Sequence, residues 1–448
     1  MTRKSDERKV KLAIEAALSA GATEAEGFFN RTSSVSVEVS GGKVESQKVR
    51  EGSGIGVRVL VANRLGFAYT SDLGNSAIES AARQALANAE SSSPDEFNVL
   101  PRPSPRYIEI EKFDEQLKDV GLDDRIERAL NLEGAARAVD KRITKVRQAT
   151  ASDASYEAHL ANSKGISLWS RGTSCAASVM VVAEEGGDAQ MGWDFDHSFY
   201  FSALDVAPVG RNASRRALSL LGARQIETAK VPIILDAPVA AEFVAAIGHA
   251  LMADQVQKGK SLFADKVGRQ MANRNVTIID DGMFERGLYP APADGEGVAS
   301  KRTVLVEAGV LQGFLYDTYT AAKGGTESTG NGVRSSYAST PEVGATNFYL
   351  VPGDTDPDNL CDNCSRGFLV TDAMGMHTID MVSGDFSVGA SGLWIENGKP
   401  AFPVRETTIA GNVRDVLMNI EAVARNLKFY SRYGSPSFLV TDVVVSGK

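Results

Sequence analysis

Cysteine is scarce in this chain. Its 448 residues carry three, Cys175, Cys361 and Cys364, too few to build a disulfide framework for a protein of this size. Histidine is scarce too: there are four, His159, His197, His249 and His377, and no two stand at the close helical spacing that zinc hydrolases use. Positive charge is in deficit, with 48 Lys and Arg against 57 Asp and Glu and a formal net charge of -9. An acidic chain lacks the electrostatic footprint of a nucleic-acid binder, and polybasic attachment to a membrane surface is equally unsupported. Long apolar runs are missing. The greasiest stretch, Val231 to Met252, is broken by Asp236, Glu242 and His249, whereas a spanning helix needs about 20 nearly uncharged residues. Met1 to Lys11 is densely charged, and no apolar stretch with a small-residue cleavage site follows it. The expectation is a cytoplasmic protein with neither nucleic acid nor membrane as a partner.

Several catalytic signatures are absent as well. No G-x-x-x-x-G-K-[ST] or G-x-G-x-x-G follows a strand, which argues against phosphoryl transfer and dinucleotide binding. There is no G-x-S-x-G elbow, so Ser-His-Asp catalysis finds no support. Cys361 and Cys364 form half of a zinc ribbon without a second half, and no thioredoxin-like βαβ context surrounds them. They read as incidental loop cysteines.

The chain contains 43% apolar and 23% charged residues, so it can bury a real core. Its fold class reads as α+β. Residues 1–92 form a first α/β unit. A helix spans Glu7 to Leu18, and strands follow at Val35–Val39, Ile55–Val61 and Gly66–Thr70, with Gly41-Gly42 as a hairpin turn. A helix capped by Asn75 then runs to Ala89. Residues 93–110 are the linker, marked by Pro101-Arg102-Pro103-Ser104-Pro105.

Residues 111–225 repeat the order helix, strands, helix. The helices are placed at Leu122–Val139 and Arg211–Leu221. The strands are placed at Ile143–Thr150, Glu157–Asn162, Ser167–Ser170 and Ala176–Ala183. The closing helices share a pattern, Ala81-Ala82-Arg83-Gln84-Ala85-Leu86 beside Ala213-Ser214-Arg215-Arg216-Ala217-Leu218, which suggests a structural duplication. Residues 226–448 read as a large, mostly antiparallel β-rich domain. In it Val231–Leu235 is a buried strand, and a helix runs from Asp236 to about Ala253. Helix signals then fade until Asn412–Leu427.

Two segments stand out as places where backbone could meet a ligand. One is the small, polar run Ser383 to Gly392, also readable as a glycine-rich turn between strands. The other is the polar loop holding Gly324-Gly325 and Gly330-Asn331-Gly332. His249, in Ala246-Ile247-Gly248-His249-Ala250-Leu251, lies on a mainly apolar helix and reads first as a packing residue.

A set of motifs in order then carries a resemblance. They are Lys258-Gly259-Lys260-Ser261-Leu262-Phe263, Asp294-Gly295-Glu296-Gly297-Val298, Ser328-Thr329-Gly330-Asn331, Gly-Asp-Phe-Ser and Trp-Ile-Glu-Asn-Gly within Gly384–Gly398, and Glu406-Thr407-Thr408-Ile409-Ala410-Gly411-Asn412. Together they resemble the TldD/PmbA family (peptidase U62, also called modulator of DNA gyrase), in its PmbA/TldE branch. The resemblance covers most of the chain and is densest from 230 to 448.

The resemblance implies α/β N-terminal units followed by a β-rich domain. It also implies a pairing of TldD and TldE chains that degrades unfolded peptides and processes some peptide antibiotics and antitoxins. The TldD branch is a zinc peptidase with a His-Glu-x-x-x-His helix and a later cysteine ligand. On this sequence His249 matches the second histidine. Val244 stands at the first histidine, Ala245 at the glutamate, and Tyr433 at the cysteine. A catalytic zinc needs three protein ligands and a base for its water, and Val244 and Ala245 offer neither.

The expectation is therefore a subunit with no metal of its own, no confident catalytic residue and a TldD-like partner that carries zinc. An extended, unfolded peptide would pair with backbone near Ser328, Thr329, Gly330 and Asn331, or near Gly384, Asp385, Phe386, Gly389, Ser391 and Gly392. Two other readings stay open: a self-sufficient homodimeric hydrolase with an unrecognised site, and a non-enzymatic regulator that binds DNA gyrase.

Overall fold

The computed structural model describes residues 3–362 and 364–447. The N-terminal half repeats one pattern. It begins with α1 (Arg3–Ala20), β1 (Glu24–Ser40), β2 (Lys43–Val61), β3 (Arg64–Thr70) and α2 (Asn75–Ser91). After the linker come α3 (Leu122–Arg137), β4 (Ile143–Asn162), β5 (Ser167–Glu185), β6 (Asp188–Ser198) and α4 (Val206–Ser219). All six strands form one sheet in the order β3-β2-β1-β4-β5-β6. The two α/β units therefore share a sheet, joined by the antiparallel pair β1 and β4. Each pair of helices covers its own part of it. Val10, Ala13, Phe29, Ile55, Val57 and Ala82 form one core, and Val37, Leu132, Val146, Ala177, Val181 and Ala213 form the other.

Local chemistry explains the hairpins. Gly41 and Gly42 have φ of 63° and 73° between the paired Ser40 and Lys43. This is the left-handed two-residue turn that matches strand twist. The repeat is also visible in the closest helix-to-strand approaches. A Cβ on Gly66 of β3 would lie 2.0 Å from the Ala85 carbonyl oxygen of α2, and one on Gly192 of β6 would lie 2.2 Å from that of Ala213 in α4. The equivalent alanines are thus Ala85 and Ala213, one helical turn away from the match read in the sequence.

Other boundaries move. Asn75 is the first helical residue of α2, and Gly74 holds the cap position. The separate strands read within 143–162 and 167–183 are the continuous β4 and β5, because partners on both sides carry them through their polar stretches. The strand β6 shows an inverted pattern: Gly192 and Asp194 face inward while Met191 is exposed.

The C-terminal half contains β7 (Ala229–Leu235), α5 (Ala237–Ala250), α6 (Ala253–Gln257), β8 (Ile278–Asp281), β9 (Arg302–Glu307), β10 (Val310–Leu311), α7 (Thr318–Lys323), β11 (Gly332–Val333), β12 (Glu342–Val343) and β13 (Phe348–Leu350). It continues with β14 (Arg366–Met374), β15 (Asp385–Glu396), β16 (Lys399–Asn412), α8 (Val413–Met418), β17 (Ile420–Val423), β18 (Lys428–Phe429), β19 (Tyr433–Ser435) and β20 (Phe438–Ser446). One sheet runs β16-β15-β14-β7-β20-β17, and an added β16–β20 pairing closes it on itself. A second runs β10-β9-β8-β13-β19-β18, and β11 with β12 forms a small ribbon. Most pairs are antiparallel; β7 with β14 and β13 with β19 are parallel. The long helix read at Asn412–Leu427 is only α8. Asn412 caps it by accepting from the Arg414 N–H, and the chain then leaves to pair with β20 as β17. No helix among the described residues is long and apolar enough to cross a membrane.

Candidate functional site

The site is organised by α5. Asp236 caps its amino end by accepting from the Ala237 N–H at 2.9 Å, and Pro238 fits the first turn. At its other end the Ser261 hydroxyl donates to the Ala250 carbonyl at 2.7 Å, which gives the Lys258–Phe263 motif a structural task. The helix is buried almost all round. Val239, Phe243, Val244 and Ile247 enter the main core of this half, while Glu242 and His249 are exposed.

Of the four positions at which a zinc set was considered, three lie on α5 and the fourth, Tyr433, packs against the same helix at Gly248. Val244 is 2% exposed and packed in the core, Ala245 is half-buried one residue on, and His249 stands at the carboxyl end of the helix. Tyr433, in β19, lies across the helix at Gly248 and makes an edge contact with Phe348 at 5.7 Å. These side chains do not fit a catalytic zinc. Valine and alanine have no lone pairs. Burial, with the nearby Asp280 charge, pushes the Tyr433 phenol up to about 12, so it stays protonated at neutral pH. One exposed histidine remains. Among the described residues no three His, Cys, Asp or Glu stand close enough to hold one ion.

His249 opens onto a cleft of about 530 Å³ between the two halves. Its walls come from Arg58 of β2, Asp254 of α6 and Lys258 at its carboxyl end, Asp317 and Lys323 of the α7 region, and Val343 of β12. Behind the cleft a buried charge network joins the halves. Arg58 donates to Glu26 of β1 at 2.8 Å and 3.2 Å, and to Glu296 at 3.1 Å. Arg334 also donates to Glu26, and to the Gly295 carbonyl at 2.7 Å. The other Glu296 oxygen accepts from the Thr318 N–H at 2.7 Å and so fixes the start of α7.

Burial works against the Glu26 carboxylate, but the Arg334 and Arg58 charges outweigh it and hold its pKa below the usual range. Asp294 goes the other way. Burial and the Glu296 charge raise it to about 7, although the N–H groups of Gly332, Glu296 and Val298 favour its charged form. Asp317 is also raised, first by burial and then by Glu296.

The predicted peptide contacts fall in two places. The segment Ser328–Asn331 is tied to its own domain. The Ser328 hydroxyl donates to the Tyr316 carbonyl at 3.1 Å, and the Thr329 hydroxyl to the Asn331 side-chain carbonyl at 2.6 Å. Gly330 has φ of +78°, and Asn331 is 1% exposed. The Asn331 amide donates to Asp280 at 2.7 Å and to the Gly344 carbonyl at 2.9 Å. The segment leads into β11 and holds the β11–β12 ribbon in the cleft wall.

The run from Gly384 to Gly392 lies elsewhere, largely in β15, and here strand addition needs correction. Asp385 pairs with Asn412. Gly389 faces Met374 on one side and Thr408 on the other, and Gly392 faces Val370 and Val404. Ser391 is paired with Asp372, and Phe386 is buried against Phe243. Both edges of β15 are occupied, so an extended peptide has no edge to join there. A Cβ on Gly392 would lie 1.9 Å from the Leu369 carbonyl oxygen, so close backbone packing accounts for that glycine.

A free edge exists on β12. It pairs only with β11 among the described residues, with Val343 opposite Gly332. The Gly344 N–H bonds to the Asn331 carbonyl in the same register. Strand alternation then makes Val343 the non-hydrogen-bonded position, with its own N–H and C=O turned outward from the ribbon. Sequence reasoning missed Arg58, Asp254 and Val343. Each is unremarkable in its local window, and only the pairing of distant segments brings them to one cleft.

The comparisons with known proteins agree along the whole length. Family models of the PmbA/TldA metallopeptidase match in order: domain 1 over residues 25–89, the central domain over 115–221 and the C-terminal domain over 228–447. The chain is 30% identical to Metalloprotease PmbA of Escherichia coli O157:H7, covering 100% of this chain and 97% of that one. It is 31% identical to the Metalloprotease PmbA homolog of Haemophilus influenzae, covering 98% and 95%. The crystal structure of TldE from Thermococcus kodakarensis superimposes with a TM-score of 0.91 at 26% identity, over 98% of this chain and 100% of that one.

Proposed function

The chain belongs to the PmbA/TldA metallopeptidase family, and on that premise we propose that it is a PmbA/TldE-type subunit without a zinc site of its own. It receives an extended, unfolded peptide in the cleft at the carboxyl end of α5, and a TldD-like partner chain supplies the zinc and carries out hydrolysis. One observation carries this reading: α5 presents Val244 and Ala245 where a metal helix needs a ligand and a base, and protonated Tyr433 fills the space beside Gly248.

The peptide-holding role is supported by the cleft itself. Its β12 wall offers the outward N–H and C=O of Val343, and main-chain pairing of that kind binds extended chains with little sequence preference. The buried Glu26–Arg58–Glu296 network keeps the N-terminal sheet fixed over the opening.

The test is the zinc and other transition-metal content of the purified, untagged chain. The proposal expects a value near zero per chain. Close to one metal per chain would overturn it and favour the self-sufficient homodimeric hydrolase.

A further inference from the structure

The β11–β12 ribbon reaches the N-terminal half through its loop. Residues 334–341 join the two strands, and Thr340, Pro341, Glu342 and Val343 on the outgoing side line the cleft. The incoming side is well anchored. The Gly332 N–H donates to Asp294 at 2.8 Å, the Gly332 carbonyl accepts from the Gly295 N–H at 2.6 Å, and Arg334 is buried against Glu26. The loop is not anchored in this way. Ser335, Ser336 and Ser339 hydrogen-bond among themselves. Among the described residues no hydrogen bond of 335–341 reaches further than Arg334, which donates to the Ser339 carbonyl at 3.3 Å. The ribbon itself has two residue pairs, Gly332 with Val343 and Val333 with Glu342, and so short a hairpin is marginal on its own in water.

Tyr337 is what ties the loop to the N-terminal sheet. A Cβ on Gly54 of β2 would lie 2.3 Å from its ring, and one on Gly56 would lie 2.3 Å from its carbonyl oxygen. Both glycines are buried in the strand and neither has a positive φ. The backbone therefore does not require glycine at these positions; the close approach of Tyr337 does. The ring also meets Tyr69 of β3 edge-on, with centroids 6.1 Å apart. Among the described residues the Tyr337 hydroxyl has no hydrogen-bond partner, so the contact is one of shape.

We propose that Tyr337 is a positioning residue: seated on Gly54 and Gly56, it pins the loop to the N-terminal sheet and so holds the outward edge of Val343 ready for an extended peptide. This deepens the peptide-holding reading and rests on it. Unpinned, the ribbon occupies the receiving position for only a fraction of the time, and apparent affinity falls by that fraction.

The test uses the full chain and two readouts, hydrogen exchange of the backbone amides at 335–343 and anisotropy of a fluorescent, unstructured peptide. Tyr337→Ala should speed that exchange about tenfold and leave the anchored Gly332 amide unchanged. Peptide binding should weaken by about the same factor. Tyr337→Phe keeps the ring and should match the parent in both readouts. Gly54→Ala alters only β2, yet its methyl takes the seat of the ring and should reproduce the Tyr337→Ala behaviour. The double variant should be no worse than either single one. General damage to the fold would not give rescue by phenylalanine together with this non-additivity. If the parent binds peptide and Tyr337→Ala binds it equally well, this inference alone is overturned, even where exchange is faster. If the parent binds no peptide, the peptide-holding reading falls and takes this inference with it.

Discussion

Tyr433 lies so close over Gly248 that a Cβ on the glycine would come within 2.6 Å of the tyrosine ring, and within 3.2 Å of Phe348. The space on α5 beside His249 is thus filled by an aromatic side chain, and helix and strand approach closely because position 248 has none.

Gly248→Ala tests that packing. Alanine gains about 1 kcal/mol of helix propensity over glycine, while overpacking a tight core costs about 1–3 kcal/mol. The clash should win, with net destabilisation of about 1 kcal/mol by urea denaturation. In a Tyr433→Cys background the same change should become neutral or stabilising. A Gly248→Ala variant as stable as the parent would show that the ring moves aside freely.

Restoring the missing donors should create a metal site. The triple variant Val244→His, Ala245→Glu, Tyr433→Cys is expected to retain zinc at close to one per chain after dialysis, where the parent retains almost none. Burial of Val244 makes a histidine there costly, so the variant should be less stable without metal and recover stability when zinc is added. No zinc uptake by a folded triple variant would contradict the placement of these positions.

Arg58→Ala should be among the most damaging single changes. It leaves Glu296, 1% exposed, without its cation, and Glu26, equally buried, with Arg334 alone. Breaking one side of a buried ion pair costs about 3–5 kcal/mol. Denaturant midpoints read this directly. Arg3→Ala, in an exposed pair with Glu7, is the control and should change little.

Asp294 links stability to pH. Its pKa is raised from 3.8 to about 7, so the folded state holds this proton more tightly than the unfolded chain. The contribution is fully present below the unfolded value and is lost as pH rises towards the folded one. The stability advantage of the parent over Asp294→Asn should therefore grow as pH falls from about 7 to about 4. A difference independent of pH across that window would contradict the assignment.

Much of the fold was legible because local signals agreed with it. The Gly41-Gly42 turn, the buried strand at Val231–Leu235 and the Asp236 cap are each set by neighbouring residues. The repeat was legible in its order but not in its register, since the Gly66 and Gly192 contacts depend on which helix turn meets the strand. The sheet that joins both units was not legible, because pairing of β1 with β4 links residues far apart in the chain.

The site shows the same division. The poor donor set at Val244 and Ala245 could be read from the sequence. The cleft could not, because Arg58, Asp254 and Val343 come from three distant segments. The glycine-rich run 384–392 looked like a place for a ligand, but β15 is paired on both sides and Gly392 serves close packing against Leu369.

The most direct measurement is cleavage of an unfolded peptide by the purified chain, alone and after mixing with a TldD-type chain. No hydrolysis is expected from this chain alone at any zinc concentration, and the mixture is expected to hydrolyse the peptide until its zinc is chelated. Sustained, stoichiometry-dependent cleavage by this chain alone would contradict this expectation.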